Sequence, residues 1–277
     1  MSKYFYKAIR FLFRFPIFWN LIKPIINFFK NLEVQKMWTD RAPLDKMIKE
    51  QILVVPEVKN GFFKGMRYPG FQAAGSAIYP KFIGSYENEL NPIIEKAIQK
   101  QYDTIIDVGC AEGYYANGLA RLLPNATVYA YDTVQYARNL CQQIATINEV
   151  QDRVFIKGTL NASELSKFDF TNKNAFIISD CEGFEKQLFT NENIHNLKNC
   201  DVLIETHDLF DLTISAYLIN LFKDTHQTPL IIASLDDNKK AQTYHFPETE
   251  KLDLKTKKII FSEERKAIME WLFFQKM

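Results

Sequence analysis

The sequence predicts a doubly wound α/β sheet preceded by a helical arm, and three observations carry the prediction of the sheet. Residues 104–108, TIIDV, have the length and β-branched content of a buried strand. A glycine-containing turn at 109–113 leads into an amphipathic helix that Pro124 ends. A second strand at 127–131 is closed by Asp132. Strand, turn, helix and strand in this order form a βαβ unit of a parallel sheet.

The composition is that of a globular protein. The chain has 277 residues, 47% hydrophobic and 24% charged, which excludes a disordered, collagen-like or coiled-coil protein. The four cysteines have neither CxxC nor zinc spacing, so we expect reduced thiols and a cytoplasmic protein. A net charge of +1 argues against a dedicated nucleic-acid partner.

The first 32 residues differ from the rest in charge. They contain six lysines and arginines and no acid, which gives them a charge of +6. Because the net charge of the whole chain is +1, residues 33–277 carry a net charge of −5. The longest uncharged run, residues 15–22, is far shorter than the roughly 20 apolar residues of a membrane span. The same charges interrupt any signal-peptide core.

Helical spacing in this segment predicts an amphipathic arm. The cations at 3, 7, 10 and 14 form one stripe, and the polar residues at 20, 23, 27 and 30 form another. Pro16 lies between the stripes, which predicts two short helices or one kinked helix. A thin basic edge on an aromatic helix suits the inner face of a membrane, so we expect peripheral membrane contact. The alternative is a helix pair packed on the catalytic domain or on a partner subunit.

Three parts of the chain are expected. The arm covers 1–33, a helical and irregular lead-in covering the active site spans 34–102, and a cofactor-binding domain spans 103–277. Within the lead-in, Ser85 is in N-cap position for a helix to about Lys100. Five lead-in aromatics are expected either to cover the acceptor site or to pack in the core: Phe62, Phe63, Tyr68, Phe71 and Tyr79.

The turn after the first strand indicates the ligand. Gly109 and Gly113 would let the backbone approach a ligand closely, and Asp132 is placed to bind two ribose hydroxyls. The GxGxxG spacing of dinucleotide folds is absent, and Glu112 would repel a pyrophosphate. The turn therefore favours S-adenosylmethionine (SAM), which carries an ammonium and a sulfonium, over a nicotinamide cofactor.

The segments DVGCAEGYY and YAYD resemble the signature of class I SAM-dependent methyltransferases. This resemblance implies a Rossmann-like, mainly parallel seven-stranded sheet with helices on both faces and a C-terminal antiparallel hairpin, expected near 257–275. It implies that Asp107, Gly109 and Gly113 cradle the methionine part. The full set expected at the cofactor is Glu87, Asp107, Gly109, Cys110, Ala111, Gly113, Tyr114, Asp132, Thr133, Thr159, Leu160 and Asp180.

Two later segments, AFIISDCEGFEKQLF and VLIETHD, are similar to FkbM-type methyltransferases, which are largely O-methyltransferases of sugars and natural products. The resemblance implies a small-molecule or glycan acceptor, which a membrane-bound arm would allow to be lipid-linked. The turn after the third strand lacks the acid that many relatives use for adenine. It offers Thr159, Asn161 or Ser163 instead.

The candidate catalytic groups follow the fourth and fifth predicted strands. Asp180 and Glu205 should meet His207 at the carboxyl edge of the sheet. O-methylation needs a base for the hydroxyl proton, and histidine suits neutral pH, so His207 is the preferred base. A structural hydrogen bond that caps the fifth strand is the other interpretation of this histidine. Magnesium held by Asp180, Glu205 and Asp208 is the alternative source of activation.

Two rival functions remain at this point. The first is methylation of nitrogen, carbon or RNA on the same fold, although SDCEG stands where N-methyltransferases show N/D-P-P-Y/F. The second is a catalytically silent SAM-binding scaffold that acts through its arm. Tyr86 and Glu87 are expected either to reach the cofactor or to cap a helix.

Overall fold

The computed structural model describes residues 14–265 and 267–277, and its centre is a seven-stranded sheet in the order β3-β2-β1-β4-β5-β7-β6. The strands are β1 Thr104–Val108, β2 Thr127–Tyr131, β3 Val154–Lys157, β4 Ala175–Ser179, β5 Cys200–Thr206, β6 Leu230–Ala233 and β7 Glu270–Phe274. Strands β1 to β5 pair in parallel, and β7 runs antiparallel to both β5 and β6. The predicted fold class is confirmed.

Helices connect the strands. They are α1 Pro16–Met47, α2 Ile78–Ile83, α3 Asn91–Lys100, α4 Tyr114–Leu122, α5 Gln135–Ile147, α6 Ala162–Leu165, α7 Glu185–Leu188, α8 Ile194–Leu197, α9 Ile214–Phe222, α10 Asp237–Thr243 and α11 Leu254–Phe261. A π-helical turn, Ile48–Ile52, continues α1, and 3₁₀ turns lie at Asn88–Leu90 and Pro247–Thr249.

The register of the central strands brings their carboxyl ends to one level. Every residue of β1, β4 and β5 is buried, as expected for parallel strands covered on both faces. Val108, at the end of β1, aligns with Tyr131 of β2 and with Ser179 of β4. The residues that follow these strands, including Asp132 and Asp180, therefore start at the same edge of the sheet.

Phe155 of β3 is 45% exposed because β3 is an edge strand. One sequence expectation about the sheet was wrong. The first half of the hairpin expected near 257–275 is helix α11, because Asp253 accepts a hydrogen bond from the Thr256 backbone and caps it. The antiparallel partners of β7 are β5 and β6, which both lie earlier in the chain.

The helix expected from Ser85 begins later, at Asn91. Glu87 has a left-handed backbone (φ 46°), which a continuous right-handed helix does not allow. Pro92, in the first turn of α3, favours a start there. Ser85 is buried beside α2 instead of capping the helix.

The chain divides into two compact units with a boundary between Val54 and Val55. In the first unit, α1 is one helix of 32 residues with Pro16 in its first turn and two further prolines inside it. It runs without a break through the predicted boundary at residue 33. Of the predicted stripe of cations at 3, 7, 10 and 14, only Arg14 lies within the described residues. The predicted division of the chain into three parts stays a prediction. Among the described helices, none has the length and apolar character to span a membrane.

Candidate active site

A cavity of about 780 Å³ opens at the carboxyl edge of β1, β2, β4 and β5 in the second unit. Of the residues predicted to contact a cofactor, all except Gly113 line it. They are Glu87, Asp107, Gly109, Cys110, Ala111, Tyr114, Asp132, Thr133, Thr159, Leu160 and Asp180. The cavity also includes residues that the sequence did not indicate, among them Lys81, Tyr115 and Arg265.

The two glycines of the turn are required by packing of the protein on itself. Gly109 has φ 78°, and a Cβ there would lie 1.6 Å from the carbonyl oxygen of Asp180. Gly113 has φ 85°, and its Cβ would lie 2.4 Å from Asn117 Nδ2 and from Cys141 Sγ. These contacts explain why both positions are glycine. Gly109 lines the cavity, and the approach of either backbone to a ligand stays a prediction.

Asp132 is held in place between the turn and the start of α5. Its Oδ2 accepts a hydrogen bond from the Ala111 backbone N–H at 2.9 Å, and its Oδ1 accepts one from Val134 at 2.7 Å. Each carboxylate oxygen keeps a further lone pair. The side chain is therefore oriented at the cavity wall with acceptor capacity left for hydroxyl groups.

Glu112 does not face the cavity, contrary to the expectation that its charge selects the ligand. Its side chain is fully buried, and Oε1 is paired with the buried Lys81 ammonium. Its Oε2 accepts a hydrogen bond from the Ala74 backbone at 3.0 Å. The ion pair neutralises the charge and ties the lead-in to the glycine turn. It gives no discrimination against a pyrophosphate.

None of the five lead-in aromatics lines the cavity. Phe63, Tyr68 and Tyr79 are buried in the core, which was one of the two expected roles. Phe63 contacts Tyr114 edge-on, with ring centroids 5.0 Å apart. Phe71, which is partly buried, packs edge-on against Phe82 as Tyr68 does. Phe62 is partly buried.

His207 is oriented by a buried carboxylate. Its Nδ1 lies 2.6 Å from Oε1 of Glu185, which is fully buried at the start of α7. The same carboxylate oxygen accepts a hydrogen bond from the Gly183 backbone at 3.1 Å. The imidazole also stacks on Phe210, with an interplanar angle of 8°. These contacts fix the ring, and both His207 and Phe210 line the cavity.

The other imidazole nitrogen faces a group of carboxylates. His207 Nε2 lies 3.5 Å from Asp180, 3.6 Å from Glu182 and 3.7 Å from Glu205. The structure thus brings together the three predicted catalytic residues. Glu185 lies within the segment AFIISDCEGFEKQLF, but the sequence indicates no role for it. Its pairing with His207 depends on the start of α7 lying beside the end of β5.

Burial raises the pKa of the cavity carboxyl groups. It raises the pKa of Asp180 to about 7, and together with the charge of Asp180 it raises that of Glu205 to about 8. Burial alone would lower the pKa of His207, but the hydrogen bond to Glu185 and the charge of Glu205 outweigh it and the pKa is raised. The pKa values of Asp180 and Glu205 therefore lie near neutral pH.

Arg265 joins three carboxylates from distant parts of the chain. It is paired with Glu87 and with Glu205, and its Nε donates to Glu263 Oε2 at 2.8 Å. Glu87 also accepts a hydrogen bond from the Tyr115 hydroxyl at 2.5 Å and caps no helix with its side chain. Of its two expected roles, Glu87 therefore has the one at the cavity. No periodic or motif signal marks an arginine in the loop before β7.

The sequence profile of a methyltransferase domain matches residues 99–245, just over half of the chain. The chain belongs to this methyltransferase-domain family. SAM is the cofactor expected of such a domain. No curated protein matches the sequence.

Solved structures of methyltransferases are similar to this chain at low identity and low TM-score. One is the O-methyltransferase TomG from Streptomyces achromogenes in complex with SAM (10% identity, TM-score 0.46, 69% of this chain and 80% of that chain). Another is a SAM-dependent O-methyltransferase from Thermotoga maritima (15%, 0.44, 69% and 65%). A third is a precorrin-6y C5,15-methyltransferase from Geobacter metallireducens (11%, 0.42, 68% and 89%). At these values no activity is carried over to this methyltransferase domain.

The turn after β3 holds the three polar residues that were expected to contact adenine. Thr159 and Leu160 line the cavity. Asn161 instead caps α6, where its side chain accepts a hydrogen bond from the Glu164 backbone at 2.9 Å. Neither Asn161 nor Ser163 lines the cavity, so Thr159 is the polar residue of this turn that fits the adenine position.

The predicted magnesium ligands do not form a magnesium site. Asp208 lies outside the cluster, because its carboxylate accepts hydrogen bonds from the backbone and hydroxyl of Ser215 at the start of α9. The described residues that do converge are Asp180, Glu205 and His207. Magnesium prefers six oxygen ligands, whereas this set contains an imidazole and Glu205 is already paired with Arg265. The donor set does not fit Mg²⁺.

Proposed function

We propose that this chain is a SAM-dependent O-methyltransferase of the FkbM type, acting on a hydroxyl of a sugar or another small polyol. The observation that carries the proposal is the His207–Glu185 pair. A histidine held by a buried carboxylate, with its second nitrogen at a cavity wall, has the geometry of a general base. Methylation of a hydroxyl requires such a base because the oxygen loses its proton.

The cavity fits the cofactor and an acceptor together. Its volume of about 780 Å³ lies within the usual range of small-molecule sites. Asp132 would hold the ribose hydroxyls, and the acidic wall around Asp180 suits a cationic methionine end. When bound, the cofactor supplies the methyl group on a sulfonium sulfur. Cofactor and acceptor on one rigid sheet edge provide the positioning that methyl transfer depends on.

The residues of this chain would act on the acceptor proton. His207 Nε2 would accept the hydroxyl proton while the oxygen forms its bond to the methyl group and the bond from that methyl group to the sulfonium sulfur breaks. S-adenosylhomocysteine would be the leaving group. The imidazolium that results is stabilised by the Glu185 carboxylate at Nδ1 and by the carboxylates around Nε2. Arg265 keeps Glu205 in position beside the ring. No step requires a metal ion.

The charge of the cavity favours an uncharged acceptor. Among the residues that the structure describes, eight carboxylates line it, and the lining cations are Lys81, already paired with Glu112, and Arg265. The carboxylates are Glu87, Asp107, Asp132, Asp180, Glu182, Glu205, Glu263 and Glu264. A phosphate or carboxylate on the acceptor would meet repulsion, whereas polyol hydroxyls would donate hydrogen bonds to these oxygens.

Two measurements test the proposal. Mass spectrometry of the purified protein should find SAM or S-adenosylhomocysteine bound, and isotope-labelled SAM should methylate members of a sugar and polyol panel. Phosphorylated forms of the same sugars are the matched controls and should react poorly. Binding of SAM without turnover on any hydroxyl, amine or carbon acceptor would favour the silent scaffold. Labelling of nitrogen acceptors alone would refute O-methylation.

A further inference from the structure

The N-terminal half of α1, residues 16–32, is an apolar helical surface exposed to solvent. Its large side chains that are between 43% and 75% exposed include Ile17, Leu21, Ile25, Phe28, Phe29 and Leu32. Contiguous exposed apolar surface of this kind marks an interface. We call residues 16–32 the apolar segment.

The polar residues of the apolar segment form a single stripe. Asn20, Lys23, Asn27 and Lys30 follow one another at spacings of three, four and three residues along α1, and all four are exposed. The rest of the circumference is apolar or aromatic. A helix with this narrow polar edge fits a boundary between water and hydrocarbon.

Charge changes abruptly within the same helix. Residues 14–32 contain Arg14, Lys23 and Lys30 and no acid. Residues 33–50 contain four acids and four bases, with ion pairs at i,i+4 spacing such as Lys46–Glu50. One half of the helix is therefore apolar and purely cationic, while the other has the balanced charges of a helix in water.

We infer that the apolar segment binds the surface of an anionic phospholipid bilayer. Aromatic and aliphatic side chains would enter the acyl boundary, and the lysine edge would meet negative headgroups. The segment does not cross the bilayer, in agreement with the described helices. The charge of the segment favours an anionic bilayer over a second copy of the chain as its partner. Pairing two apolar segments would bring lysines of two chains together, and the segment has no acid to compensate their charge.

The inference is tested by vesicle flotation of the full chain. Vesicles containing about one third phosphatidylglycerol should bind it at low salt, and vesicles of phosphatidylcholine alone should bind it much less. Raising the salt to about 0.5 M should weaken the binding, since headgroup attraction is screened. Equal binding to both compositions, or binding to neither, would overturn the inference, and a concentration-dependent dimer without vesicle binding would assign the segment to self-association.

A matched pair of variants locates the contact. Lys23→Gln/Lys30→Gln should lower the partition coefficient roughly thirty-fold, because each lysine near the surface contributes about a factor of five. Lys36→Gln/Lys46→Gln removes two exposed lysines from the polar half of the same helix and should change it little. An equal loss in both variants would overturn the assignment to the apolar segment. Circular dichroism checks that both variants keep the helix content of the parent protein.

Discussion

Nδ1 of His207 and Oε1 of Glu185 lie 2.6 Å apart and belong to different elements, the end of β5 and the start of α7. The contact gives the imidazole a fixed orientation and a carboxylate that stabilises its protonated form. It also raises the pKa of His207, against the opposing effect of burial. The chemistry proposed for the cavity depends on this pair.

Replacing the histidine should stop the chemistry and leave cofactor binding intact. His207→Ala should lower kcat by roughly 10²–10⁴, because a general base acts on the acceptor proton and not on the methyl donor. Turnover with labelled SAM measures kcat, and calorimetry measures SAM affinity. His195→Ala, on the exposed side of α8, is the control. A near-normal kcat in His207→Ala would make His207 structural.

The pH profile should report the Glu185–His207 contact. The base must be neutral, so kcat falls as pH drops through the pKa of His207, which is raised above 6.5 in the folded protein. Glu185→Gln removes the negative charge, so this limb should move to lower pH, and kcat at high pH should fall roughly tenfold. Glu192→Gln, an exposed acid, should leave the profile in place. An unmoved limb in Glu185→Gln would refute the positioning role.

Asp132 should be needed for cofactor affinity. Asp132→Ala should weaken SAM binding by roughly 1.5–3 kcal/mol, the range for hydrogen bonds to a charged group. Asp132→Asn keeps the shape of the side chain and removes its charge. Comparing the two variants distinguishes the effect of the charge from the effect of losing the hydrogen bonds from the Ala111 and Val134 backbone. Calorimetry gives both affinities. Unchanged SAM affinity in the alanine variant would remove Asp132 from the cofactor site.

Methyl transfer should not depend on Mg²⁺. The donor set of two carboxylates and one imidazole does not suit Mg²⁺, so chelation of Mg²⁺ with EDTA should leave kcat unchanged. The measurement is turnover with labelled SAM before and after chelation. Loss of activity in EDTA with recovery in Mg²⁺ would contradict this prediction and restore the magnesium hypothesis.

Gly109 should be essential to the fold. Gly109→Ala places a Cβ 1.6 Å from the Asp180 carbonyl oxygen at positive φ, and it should lower the free energy of unfolding by roughly 2–5 kcal/mol. Gly158→Ala is the matched control, since it has open space and no positive φ. Urea denaturation measures both. Equal stability of the two variants would show that the turn and the end of β4 can separate at little cost.

The sequence predicts the central strands well because their information is local. The bounds of β1, β2 and β4 follow from short apolar runs, and the acids after those strands meet because parallel strands end at one edge. Side-chain direction is not local, which is why Glu112 was placed at the ligand although it points to Lys81. The short apolar run in α11 allowed both helix and strand, and the Asp253 cap decided for helix.

The parts of the site that escaped prediction are contacts between distant segments. Arg265 joins Glu87 to Glu205 across more than a hundred residues of chain, and nothing in its own neighbourhood indicates those partners. The Glu185–His207 contact likewise depends on the register of β4 and β5. Such pairs become visible only when the sheet has been assembled.

The order of the strands in the sheet differs from the order in which they are synthesised. In the described sheet β6 pairs with β7 alone, and β7 lies between β5 and β6 although it follows β6 by more than thirty residues. Until Glu270–Phe274 has been made, β5 keeps an open edge and β6 has no strand to join, and such edges are prone to pair with other chains. Both antiparallel ladders depend on this one strand, so chaperone protection is most needed before it is in place.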